Sequence, residues 1–228
     1  MKKLTLLALA VLTLAFLMQA PIAGATPMTL SLSDGTNTQT ITDGSLADIN
    51  PITGAITWGG SVGSWVLNVA TGTSKPFLGS AADPQLDLNS VDAYASNNGT
   101  LTLTLIDSGF SMDNIGLIDN VGGTLGADTT GTFSASLNGH QVDIGALFPS
   151  TPHSISSSSL AAYALAGDNN TLEIQDVLTV SGFSPNNHNP ITETSFDHNL
   201  SSVPEPSTFL LMGLGLLGAA FFMKRAIA

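Results

Sequence analysis

The sequence predicts an all-β protein: an antiparallel β-sandwich, jelly-roll-like, set between a cleaved N-terminal signal helix and a C-terminal transmembrane helix. Three observations predict it. Gly, Ser, Thr, Asn and Asp break the chain at intervals of about 8 to 12 residues. The segments between them alternate apolar residues with Thr, Ser or Asp, the period of a strand with one buried face. The two uncharged apolar runs that would suit helices lie at the extreme ends.

The first element is the N-terminal run. Lys2 and Lys3 precede an apolar stretch over residues 4–18, and Ala23-Gly24-Ala25 supplies the small residues that signal peptidase accepts. Cleavage is expected after Ala25, with Ala23 and Ala25 as the recognition residues, so residues 1–25 form a signal peptide. The chain contains no cysteine, which excludes a lipoprotein anchor and any disulfide.

Residues 26–183 are expected to form the sandwich. The clearest strand covers 100–107, where Leu101, Leu103 and Leu105 share a face and Asn98-Gly99 provides the preceding turn. A hairpin is expected over 131–147, with Phe133, Ala135 and Leu137 alternating, Asn138-Gly139 turning, and Val142 and Ile144 on the return strand. Further strands are expected at 28–32, 39–42, 55–58, 65–70, 85–93, 157–165, 171–180 and 191–196. The Asn-, Pro- and Ser-rich segment 184–202 reads as a polar tether, with His188 and His198 in it.

Charge narrows the partners. Of the five basic residues, Lys2, Lys3, Lys224 and Arg225 lie at the two ends, leaving Lys75 alone in the body. Setting Glu205 aside from the 17 acidic residues leaves 16, a net charge of −15 between residues 26 and 203. Such a surface excludes nucleic acid, which requires Lys or Arg against phosphate.

No catalytic constellation is legible among these residues. His140, His153, His188 and His198 lack zinc-ligand spacing, and no G-x-S-x-G string occurs. Glu173-Ile174-Gln175-Asp176 superficially resembles the acidic strand of jelly-roll glucanases, but Gln175 replaces the middle acid and Val177 the last. The sequence therefore predicts no enzyme. Asp107, Asp113 and Asp119 offer oxygen ligands of the kind Ca²⁺ takes, although no D-x-[DN]-x-[DN]-G loop is present; solvated turn carboxylates are expected and Ca²⁺ is the alternative. No other cofactor is predicted. Trp58 and Trp65 flank a glycine-rich turn, where they would either pack in the core or stack on sugars as a carbohydrate-binding pair.

The last element is residues 203–228. Pro204 and Pro206 enclose Glu205, an uncharged run extends from Ser207 to Met223, and Lys224-Arg225 ends it. As a helix the run would cover roughly 25 Å, a short transmembrane span, with its basic end on the cytoplasmic side and the body outside. Pro-Glu-Pro, a hydrophobic segment and a basic end, in that order at the C-terminus, resemble the PEP-CTERM sorting signal of Gram-negative bacteria. The resemblance implies recognition by an exosortase, initial anchoring in the inner membrane, and delivery to the cell surface or extracellular matrix in organisms that commonly make exopolysaccharide or biofilm. It implies no activity for the body. A structural or adhesive role is the expectation and carbohydrate binding the alternative.

Overall fold

In the computed structural model, the described residues are 26–112, 115–142, 146–148, 153–163, 169–181, 192–203 and Gly215. The expected signal peptide with Ala23 and Ala25, and the tail residues Pro204, Glu205, Pro206, Lys224 and Arg225, lie outside them. The expected terminal helices therefore fall outside the description as well.

The chain builds β1 (Thr29–Ser33), β2 (Thr38–Thr42), β3 (Ala55–Val62), β4 (Trp65–Thr73), β5 (Gln85–Ala95), β6 (Gly99–Phe110) and β7 (Ile115–Leu125). It continues through β8 (Thr129–Leu137), β9 (His140–Gln141), β10 (Ala146–Phe148), β11 (His153–Tyr163), β12 (Asn170–Val180) and β13 (Thr192–Val203). All pair antiparallel. One sheet has the order β10-β8-β12-β6-β1-β2, with β9 also on β8; the other has the order β11-β7-β13-β5-β4-β3. From β5 to β8 each successive strand changes sheet, and β11, β12 and β13 do so again.

Strict alternation produces the core. On β6, Leu101, Leu103 and Leu105 are fully buried; on β12, Leu172, Ile174 and Leu178 face the same interior. Leu86, Leu88, Leu117, Phe196 and Leu200 of the other sheet belong to the same buried cluster, so the two sheets share one apolar interior. Phe133 and Phe196 meet across it edge to face, their ring centroids 5.0 Å apart.

The predicted hairpin forms between β8 and β9, with Asn138 and Gly139 both at positive φ, 51° and 76°, as a type I′ turn requires. Ile144 of the return segment lies outside the described residues.

Two strands differ from the expectation, and they sit side by side. No strand is expected over residues 115–125, where Asp119 reads as a solvated turn carboxylate, yet they form β7, paired along β11 on one side and β13 on the other. The strand expected at 191–196 is present as the start of β13, but it continues to Val203 through the segment expected as a tether and is inserted between β5 and β7; residues 184–191 lie outside the described residues. Both strands were obscured by polar residues at inward positions, which become tolerable only through partners on other strands.

Candidate functional site

The inward rows of β7, β12 and β13 each place one ionisable residue among apolar ones. Asp119 stands between Leu117 and Val121, Asp176 between Ile174 and Leu178, and His198 between Phe196 and Leu200. These three meet in the interior. His198 Nδ1 is 2.6 Å from Asp176 Oδ1, and its Nε2 is 2.7 Å from Asp119 Oδ1. None of the three side chains is more than 1% exposed.

A ring with a carboxylate on each nitrogen is best satisfied as an imidazolium donating from both. Burial pulls the His198 pKa down, but the Asp176 charge, the hydrogen bonds to Asp119 and Asp176 and the Asp119 charge together raise it to about 10. Burial in turn pushes the Asp176 carboxyl upward, against the opposing pull of His198. Asp176 Oδ2 has no hydrogen-bond partner. Phe133 closes one side, its ring centroid 6.1 Å from that of His198.

An Asp–His pair invites comparison with catalytic dyads, yet this one has no water access and no nucleophile hydrogen-bonded to it among the described residues. Its geometry serves cohesion. Asp176 belongs to one sheet and His198 with Asp119 to the other, so the cation joins the two layers of a protein that has no cysteine. A sequence signal did exist: each of the three interrupts an alternating apolar row at a position where an apolar residue would be expected.

The metal candidates are dispersed by the fold. Asp107 lies on β6, where it accepts hydrogen bonds from Ser74 Oγ and Lys75 Nζ, each at 2.7 Å. Lys75 also donates to the Ser108 carbonyl and stands 3.8 Å from the Phe110 ring centroid. The one basic residue of the body therefore binds the β4–β5 connection to the end of β6. Asp119 is held by His198, and Asp113 lies outside the described residues. Among the described residues no three His, Asp or Glu are grouped to hold a metal ion.

The tryptophans do not form an exposed pair. Trp65 is fully enclosed in the core. Trp58 is half-buried against that core, with its ring over Gly60, where an added Cβ would lie 2.7 Å from Trp58 Cζ2. Sugar stacking by both rings is thus precluded. Glu173 faces outward from β12 and lines a groove of about 370 Å³ with Ser134, Ser136, Gly139, Gln141 and Gln175. Among the described residues it is the one carboxylate of that lining. His140 is exposed at the hairpin.

The folded body extends through Val203, the residue before Pro204. Ser202 N donates to the Pro84 carbonyl at 3.0 Å, Ser202 Oγ bonds Asp83, and Val203 pairs in register with Gly116. Pro204 follows with no intervening tether. The proline suits this position, because it lacks the N–H that a further ladder bond would need.

The chain matches no curated protein. At its C-terminus the matched segment begins on the last two residues of β13: residues 202–225 fit the PEP-CTERM protein-sorting motif, which implies export, C-terminal membrane anchoring and exosortase as the processing partner.

Proposed function

We propose that this chain is a non-enzymatic structural or adhesive component of the cell envelope or extracellular matrix, a jelly-roll β-sandwich carried there by signal peptidase and exosortase processing. The observation that carries this reading is the PEP-CTERM motif at residues 202–225, fused without a spacer to the central strand of a rigid domain. The buried Asp119–His198–Asp176 and Lys75–Asp107 groups support it, because their charges are engaged in holding the fold. In a host that expresses an exosortase, deletion of residues 204–228 is expected to abolish surface or matrix retention. Unchanged retention and processing would sink the proposal.

A neutral exopolysaccharide is the ligand class this body would meet there. The groove beside Glu173 favours that second reading, since hydroxyl and amide side chains on neighbouring strands suit a polyhydroxylated chain. A glycan-binding screen comparing the wild type with Gln175→Ala tests it, with selective loss of binding expected in the variant.

A further inference from the structure

Exposed apolar side chains are unevenly distributed over this molecule. Among the described residues six large ones stand out: Leu46, Ile49, Ile52, Val66, Phe77 and Leu160. Five of them lie toward the end at which β13 terminates.

The register fixes that placement. β13 ends beside the start of β5, where Ser201 pairs with Gln85, so the β4–β5 connection carrying Phe77 lies at the exit end. The connection 43–54 runs from the end of β2 to the start of β3 and carries Leu46, Ile49 and Ile52. Ala55 at its close pairs with Thr73, the last residue of β4, which brings it to the same end. Ser74 N donates to the Gly54 carbonyl at 2.9 Å, tying the two connections together. On the opposite edge of the sheet, Leu160 pairs with Ile118, which in turn pairs with Ser201. Val66 is the exception; it pairs with Tyr94 near the far end.

These apolar tips are held rigidly outward. Asp48 Oδ1 accepts hydrogen bonds from the backbone N–H of Asn50 and Thr57, its Oδ2 accepts one from Gly44, and Asp43 Oδ2 accepts one from Gly54 at 2.8 Å. The connection is thereby pinned through its polar residues while Leu46 is fully exposed and Ile49 is 70% exposed. A monomer in water gains nothing from presenting such residues together.

Chain length identifies what covers them. Only residues 204–208 separate Val203 from the apolar run that begins at Phe209. Five residues at full extension reach at most about 20 Å. While the tail is in the membrane, the exit end therefore stands at the bilayer surface. We propose that this end docks on the lipid interface, with Leu46, Ile49, Ile52 and Phe77 entering the headgroup region, so that the anchored precursor lies in a fixed orientation. The body's net charge of −15 makes the contact apolar, so zwitterionic lipid suffices. This rests on the membrane-anchored reading of the tail.

The absence of cysteine allows clean labelling. The full chain carrying Leu46→Cys or Phe77→Cys, modified with a fluorophore, is reconstituted in phosphatidylcholine vesicles that bear nitroxide on their acyl chains. Asn97→Cys, in the exposed turn between β5 and β6 at the opposite end, is the reference. Severalfold stronger quenching at 46 and 77 than at 97 is expected, and Phe77→Asp introduced into the Leu46→Cys chain should weaken it. Equal quenching at all three positions, or quenching indifferent to Phe77→Asp, overturns the docking. Loss of the protein from vesicles altogether would instead overturn the anchoring on which the docking rests.

Discussion

His198 and Asp176, 22 residues apart in sequence and on opposite sheets, meet at 2.6 Å in an interior that excludes water. Removing the cation would leave two buried carboxylates facing each other, whereas removing the whole group would leave a cavity that apolar side chains can fill. His198→Ala is therefore expected to cost about 3 to 5 kcal/mol in urea unfolding. Replacing Asp119, Asp176 and His198 together with Leu, Leu and Phe should recover most of that loss. A triple variant less stable than His198→Ala would show that the charges contribute net stability.

The same group sets an alkaline limit. His198 titrates near 6.5 when unfolded and at about 10 when folded, so the native state holds the proton more tightly. Its stabilisation is complete below the unfolded value and is lost as pH rises through the folded one. Denaturation midpoints should fall between about pH 6.5 and about pH 10, and His198→Gln should flatten that slope. An unchanged slope in the variant would assign the pH dependence elsewhere.

Lys75→Met tests the second buried pair. Asp107 is 5% exposed and would keep only the Ser74 hydroxyl and the Ser108 amide. A loss on the order of 3 kcal/mol is expected. Adding salt should change the wild-type stability little, because so buried a pair is weakly screened.

Gly54 has φ +84°, and a Cβ there would lie 2.7 Å from the Lys75 carbonyl oxygen and 2.8 Å from that of Ser74. Both obstacles are backbone and cannot swing away. Gly54→Ala is expected to cost about 1 to 3 kcal/mol by chemical denaturation. It should also raise hydrogen exchange at the Ser74 amide, which donates to Gly54.

The legible parts of this sequence were the local ones. Leu101, Leu103 and Leu105 announce β6, and Asn138-Gly139 announces its hairpin, because period and turn chemistry act over a few residues. The sorting tail was readable for the same reason. β7 and the second half of β13 were not, because Asp119 and His198 occupy inward positions and break the apolar row. Their partners lie far along the chain: His198 reaches Asp119 across 79 residues. Trp58 and Trp65 carry no local mark of burial, and only assembly of the sheets decides it.

The position of β13 bears on the order of events during secretion. Strands β5 and β7 have no neighbour in common until the final dozen residues of the body slide between them. Export of the anchored precursor delivers those residues last, just ahead of the segment that halts in the membrane. A chain that crosses N-terminus first would bring out the strand that joins β5 to β7 together with the processing signal.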